Sequence, residues 1–299
     1  MSVVTQRGIL LLPVALTLAL VATLAYTMTR EGSMSAAEVD AAYDIEVAHY
    51  LAATGVHLAR WQNEKRGCGL PQGFSGVTFP GGKIDAAVAA DGKSAMKISV
   101  KSDTGRTTRS LPNVPVTRYD RYEAPLTIIP TDDTSIVKGV FTSRANDDRL
   151  ETTDGNAHAL LKFSLSDDNR KDLDKALLIS AQLKLVQASS NTRTLSLGVH
   201  RVTKSWGDNA LWTTPWTTPG GDYAPVATSI VPLDGSTFLP VEYSWRIDSL
   251  LELWLADKNE IQGVLLKPVG PLDAKFYSLN SFLPLLRPRL VVRYYPRCT

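Results

Sequence analysis

Cysteine is nearly absent from this chain: its 299 residues contain two, Cys68 and Cys298. Two thiols so far apart in sequence exclude a thiolate zinc cluster or a CxxC redox motif and leave one disulfide or two free thiols. An excess of either charge is also lacking. Thirty-two basic residues against 30 acidic ones give a formal charge of +2, so no global field favours a polyanion, and no nucleic-acid partner is expected. Histidine is scarce, with four residues, His49, His57, His158 and His200. None sits in an HExxH pattern, so no metal centre is assigned to them. Gly73-Phe74-Ser75-Gly76-Val77 lacks the second glycine of a GxSxG elbow, and Gly81-Gly82-Lys83-Ile84 lacks the spacing and the Ser/Thr of a phosphate loop. No catalytic residue is therefore named. Carboxylates are plentiful enough that two could meet in space, which keeps glycoside hydrolysis as a minor alternative.

What the chain does have is one long apolar run, Ile9 to Met28. Its roughly 20 uncharged residues, at a helical rise of about 1.5 Å, match the hydrocarbon thickness of a bilayer, about 30 Å. The expectation is a membrane-spanning helix that continues as a stalk over 9–66. A cleaved signal peptide and a plain signal anchor held by Arg7 are the alternatives. Ser35 and Glu38 form a capping box, so the helix either restarts after Gly32 or runs on as one rod. Two stripes then lie side by side. Val39, Tyr43, Val47, Tyr50, Leu58 and Trp61 form a bulky row; Ala37, Ala41, Ile45, Ala48, Ala52, Val56 and Ala59 form a small one. Bulky residues suit a sheet and small ones a second helix, so the bulky row is expected against the chain's own β structure. Glu38, Glu46, His49, His57, Arg60 and Glu64 make up the solvated side.

Gln6-Arg7-Gly8 directly before Ile9-Leu10-Leu11-Leu12-Pro13 resembles the type IV pilin-like family, whose leaders end in glycine at the start of a hydrophobic helix. The stretch from Ala48 to Trp61 is similar to the same helix in accessory pilins of the PilX kind. The resemblance implies leader cleavage between Gly8 and Ile9, a leader over 1–8, and packing against other pilin-like subunits through the helix. Pro13 stands where main pilins carry a glutamate, which suits a minor or tip-type subunit.

After Cys68 the density of glycine and proline predicts a loop from Gly67 to Gly82. Lys83 to Ala90, Ala95 to Ser102 and Arg106 to Val114 alternate as three short strands, with turns at Asp91-Gly92 and Thr104-Gly105. A small β-meander and linker are thus assigned to 67–124. The remainder, 125–299, has short apolar strands, among them Leu160 to Leu165, Ala181 to Val186, Leu195 to Val202, Gly263 to Lys267 and Arg289 to Tyr294. They predict a jelly-roll-like β-sandwich with one short helix near Ser249. The fold class expected for the whole is α+β.

Leu160-Leu161-Lys162-Phe163-Ser164-Leu165, Ala181 to Leu185, Val199-His200-Arg201-Val202 with Ser205-Trp206, Trp245, Gly263 to Leu266, and Arg287 to Tyr294 resemble the successive motifs of disaggregatase-related (DNRLRE) domains. Ser164 stands where that family usually has aspartate. The resemblance implies a carbohydrate-binding-module-like sandwich of secreted and surface proteins, linked in some members to acidic polysaccharides, and it does not imply catalysis. Flat aromatic faces with a few polar neighbours are what sugar binding requires. Trp206, Trp212 and Trp216, with Arg201, Asp208 and Asn209, are the glycan-binding candidates. Alternatively, Trp206 and Trp212 plug the end of the sandwich and only Trp216 is exposed. Trp245 and Trp254 are assigned to the core. No cofactor is expected; calcium, held by some of Asp132, Asp133, Asp147, Asp148 and Asp154, is a minor alternative. A Cys68–Cys298 disulfide would tie the last strand to the stalk. The functional expectation is a minor or tip-type pilin-like protein anchored in a bacterial inner membrane. Its C-terminal region would lie outside the cytoplasm, in a surface filament, and bind glycan. The alternative is an anchored glycan-binding protein outside any filament.

Overall fold

The computed structural model describes residues 11–90, 95–189, 195–234, 240–271 and 273–298. The chain divides into two compact units, Met1–Arg118 and Tyr119–Thr299. The expected leader and the cut between Gly8 and Ile9 lie outside the described residues, as does the turn at Asp91-Gly92.

The first unit is a helix on a meander. One helix, α1 (Leu11–Glu64), runs without a restart, and the positive-φ Gly67 follows it. Four strands, β1 (Phe74–Phe79), β2 (Gly82–Val88), β3 (Ala95–Ser102) and β4 (Thr108–Pro115), pair antiparallel in sequence order. The core joins Ala48, Leu51, Ala52 and Ala59 of the helix to Ile84, Met96, Ile98, Val100 and Val114 of the sheet. Ala48, Ala52 and Ala59 of the small row therefore face the sheet, joined by Val47 of the bulky row, while Val39, Tyr43, Tyr50 and Trp61 are exposed, against the expected docking of the bulky row. Close approach is the reason. At Gly55 an added Cβ would stand 2.7 Å from Ile98 Cγ2 and 2.9 Å from Ile84 Cγ2, so at this turn the helix lies too near the strands for any side chain, whereas one turn earlier Leu51 fills the space. Buried Asp44 accepts a hydrogen bond from Thr104 at 2.6 Å. Buried Asn63 donates to Gln72 O and accepts from the Gln72 amide.

β1 was expected to be loop. The glycine just before it serves the backbone: at Gly73 an added Cβ would fall 2.3 Å from the Ala86 carbonyl oxygen, so only glycine lets the entering chain lie against β2.

Two larger expectations are overturned. Among the described residues no helix is long and apolar enough to cross a membrane. The membrane-spanning helix, and the inner-membrane location that depended on it, are corrected accordingly. The fold is also mostly β, with 39% strand against 25% helix in two sheets, and not α+β.

The second unit supplies most of that β structure. Its strands are β5 (Ala124–Ile128), β6 (Asp132–Val137), β7 (Arg149–Thr153), β8 (Ala157–Lys162), β9 (Leu177–Gln187) and β10 (Leu195–Arg201). β11 (Ser229–Leu233), β12 (Val241–Arg246), β13 (Val264–Val269), β14 (Asp273–Tyr277) and β15 (Arg289–Tyr295) follow. Two helices interrupt them where one was expected: α2 (Asp167–Leu173), capped by the Ser166 hydroxyl, and α3 (Asp248–Ala256). The sheets are β-sandwich-like, and their strands are hydrogen-bonded in the order β11-β10-β13-β8-β7-β14-β9-β15-β5, with β12 added on β9 and β6 on β8. The sheet closes over a shared core. Leu161, Leu197, Val199 and Leu266 from one end meet Leu183, Leu185, Trp245, Phe276, Leu290 and Val292 from the other. Trp245 Nε1 donates to Leu197 O at 2.8 Å, linking β12 to β10 through the core, and Trp254 is likewise fully buried.

Neither cysteine is free: Cys68 and Cys298 are both disulfide-bonded.

Candidate functional site

Strands β8, β10 and β13 are adjacent, with Leu265 opposite both Leu160 and His200, and Lys267 opposite Gly198. Side chains alternate along a strand. Ala159, Leu161, Leu197, Val199, Val264 and Leu266 point into the main core. His158, Leu160, His200, Val202, Leu265 and Lys267 therefore share the opposite face. That face is covered by the excursion from Thr203 to Thr228, which leaves β10 and returns beside it: Tyr223 bridges to Val202, and the Ala224 and Thr228 amides donate to Arg201 O and Val199 O.

The tryptophans of this excursion build a second, smaller core with Ile136, Leu160, Val202, Ala210 and Leu265. Trp206 and Trp216 are buried, and each satisfies its indole N–H on a carbonyl, Gln262 O and Leu211 O, both at 2.8 Å. Trp212 is half-buried and tilts over the His158 ring at 5.1 Å between centroids. The three indoles do not form one open platform. Arg201 is paired with Glu260, the Asp208 carbonyl accepts from Ser143, and Asn209 is exposed. Among the described residues no group of His, Cys, Asp and Glu is arranged to hold a metal ion. Asp147 and Asp148 pair with Arg144 and Arg149, while Asp133 is buried beneath the Leu279 amide.

Beside the tryptophan cap the fold opens a polar cleft of about 730 Å³, lined by Lys204, Asp222, Tyr223 and Lys267 with Thr203, Thr217 and Thr218. Asp222 accepts from the Thr217 amide at 2.8 Å and the Thr218 amide at 2.9 Å. The Thr217 bond, helped by that of Thr218 and by Lys204 3.8 Å away, holds its carboxyl below the usual value. Lys267 donates to the Tyr223 hydroxyl at 2.8 Å and lies 5.2 Å from that ring's centroid. It meets no carboxylate within ion-pair distance among the described residues.

Two histidines back the cleft. His158 Nδ1 is 2.7 Å from Gly220 O, and His200 Nδ1 is 2.9 Å from Ala224 O. Carbonyls only accept, so both rings donate through Nδ1. Burial, with Lys267 adding to it, lowers both below the ordinary histidine value, and both are neutral at pH 7. Tyr223 stands edge-to-face with each, its ring centroid 5.1 Å from that of His200 and 6.1 Å from that of His158. The double glycine Gly220-Gly221 lets this wall close. At Gly221, with φ +107°, an added Cβ would stand 2.8 Å from Leu265 Cδ1.

The glycan-binding candidates proposed from the sequence do not line this cleft. Lys204, Asp222, Tyr223, Lys267, His158 and His200 were not among them, though a signal existed. Each histidine interrupts an apolar strand at a position out of phase with its core leucines, as in Ala157-His158-Ala159-Leu160-Leu161. Such a polar residue needs a second layer of structure over it.

No protein-family model matches the chain, and no curated protein does either.

Proposed function

We propose that this protein is a minor, pilin-like subunit that joins a helical assembly through the N-terminal half of α1 and displays a glycan-binding β unit. It works by assembly and binding, without a reaction. The observation that carries the reading is the division of α1. Its later part is packed on the meander, whereas Leu18, Leu20, Val21, Leu24, Tyr26 and Met28 are each at least half exposed. A contiguous apolar surface of this kind marks an interaction site, and helices packing side by side would remove it from water. The resemblance of Gln6 to Pro13 to a pilin leader and of Ala48 to Trp61 to an accessory-pilin helix supports the same reading. So does the oxidised state of both cysteines, which requires an oxidising compartment.

The test is to shear surface filaments from cells producing the protein and sequence its N-terminus. A chain beginning at Ile9 and co-purifying with filaments is the expected result. A chain that starts at Met1 and is absent from every filament fraction would defeat the proposal. A glycan array with the intact chain tests the second unit, and no bound glycan would remove that part.

A further inference from the structure

We infer that the second unit associates head to tail with a second copy of this chain: the apolar loop from Phe282 to Leu285 of one copy seats in the apolar cleft beside α2 of the next. This goes beyond the assembly proposed for α1 and does not rest on it.

The loop is a shaped projection. Phe282 and Leu285 are 92% and 85% exposed, and Leu283 is more than half exposed, so this short segment between β14 and β15 holds large apolar side chains in water. Its backbone is nonetheless fixed. A 3₁₀ turn covers Pro284–Leu286, Arg287 Nε donates to Ser281 O and Arg289 to Leu285 O, both at 3.1 Å, and Asn280 donates to Ala145 O at 2.6 Å. Single exposed apolar residues are ordinary, whereas a fixed cluster of them marks a contact surface.

The cleft, of about 760 Å³, presents Leu173, Ala176, Leu177, Leu178, Leu255 and Tyr294. Its wall is held by Arg170, which donates to the Trp254 and Leu255 carbonyls and so ties α2 to the end of α3. A pocket of this kind takes the aromatic or aliphatic anchor of a partner. Loop and cleft belong to opposite ends of one strand: the loop leads into β15 at Arg289, and Tyr294, near the far end of that strand, lines the cleft. The roughly 16 Å between those two residues, at about 3.3 Å per residue, stops a chain from filling its own cleft but not that of a copy. Contact between two different patches is heterologous and continues from copy to copy.

Charge selects a protein surface over a lipid one. Around the loop, Arg289 is paired with Glu242, Arg149 with Asp148, and Arg144 with Asp147 and Glu151. Arg287 meets no carboxylate within ion-pair distance among the described residues. Around the cleft, Asp167 pairs with Lys258 and Asp174 with Lys175, while Glu252, exposed on α3, meets no cation within that distance among the described residues. One uncommitted cation beside the loop and one uncommitted carboxylate beside the cleft match each other. Anionic lipid headgroups would call for several free cations.

Photo-cross-linking of the whole chain tests this. Phe282→p-benzoylphenylalanine puts a reactive ring at an exposed position, and mixing ordinary with heavy-nitrogen-labelled chain separates links between copies from links within one. Mixed-label links to peptides carrying residues 173–178 or 252–255 are expected. Leu285→Asp should lower their yield at least about fivefold. Glu252→Arg should lower it about threefold, and Arg287→Glu in the same chain should restore it. Links between copies that avoid these peptides, no links at all, or a yield unmoved by Leu285→Asp overturn the inference; a double variant that fails to recover overturns the charge pairing on which the choice of partner rests. With vesicles of phosphatidylglycerol and phosphatidylcholine present the links should persist, and their replacement by lipid adducts makes a membrane the partner and overturns the inference. Val226→p-benzoylphenylalanine, exposed on the excursion after β10, controls for crowding through α1: it should leave the cleft peptides unmarked, and equal marking overturns the inference. If Phe282→p-benzoylphenylalanine does not fold, the same reporter at Leu285 serves. Because α1 is unaltered throughout, failure here leaves the filament result standing, and failure there leaves this one.

Discussion

Asp133 on β6 is a carboxylate in the wrong solvent. It is buried, and burial, opposed by the hydrogen bond from the Leu279 amide and reinforced by neighbouring Asp132, pushes its pKa up to about 6 from 3.8. The folded chain thus keeps a proton that the unfolded chain has already released over that interval. Stability falls as pH rises through this window, by roughly 2–3 kcal/mol, and stays low above it. Asp133→Asn removes the ionisation and keeps an oxygen for the Leu279 amide. Denaturant titration should find the variant more stable than the parent by about 2 kcal/mol at pH 7.5, with the two converging near pH 4. A variant no more stable at pH 7.5 would show that Asp133 is not a buried charge. Gly221 makes the opposite demand. Its φ of +107° and the 2.8 Å approach of Leu265 leave no room for a Cβ, so Gly221→Ala should cost about 2–4 kcal/mol in thermal or chemical unfolding and release the back wall of the cleft. An unchanged midpoint would refute the close approach.

At the scale of elements, the strands with strong alternation or unbroken apolar runs were legible in the sequence, because their side chains must choose between core and solvent. Lys83 to Ala90, Ala95 to Ser102, Ala181 to Val186, Leu195 to Val202 and Arg289 to Tyr294 all overlap strands of the structure. What escaped was information carried by space between elements. The two rows of α1 were visible, but which one faces the sheet depends on how near the helix comes, and Gly55 against Ile84 and Ile98 is a contact between residues distant in sequence. The candidate site failed to show for the same reason. Trp206 was readable as a plug, but Trp216, expected to be exposed in either reading, is buried because Ile136, Leu160, Val202 and Leu265 supply a face for both to cover. The packing of α1 has a direct test. Gly55→Leu should lower stability by at least about 2 kcal/mol by forcing the helix off the strands, whereas Tyr43→Ala and Tyr50→Ala, at exposed positions of the other row, should change it by less than about 0.5 kcal/mol. If the tyrosine variants are the damaging ones, the bulky row is the packed row after all.

For the molecule as a whole, the near absence of cysteine turns into a constraint on where it matures. A chain with two cysteines, both disulfide-bonded, has no thiol left for catalysis, metal binding or redox exchange. The bond lasts only where the surroundings do not reduce it. The link joins residue 68 to the penultimate residue, and a loop that long removes much of the freedom of the unfolded chain, worth about 3–5 kcal/mol on the chain-entropy argument. Two measurements on the intact protein follow. Iodoacetamide added without reductant should leave the mass unchanged, and after reduction under denaturing conditions it should add two carbamidomethyl groups. Cys298→Ser, compared with the parent in non-reducing buffer, should lower the unfolding free energy by that same amount, and addition of reductant should bring the parent down to the variant. Alkylation of both thiols in the unreduced protein would overturn the argument at its first step; a variant as stable as its parent would leave the bond in place and remove its energetic role.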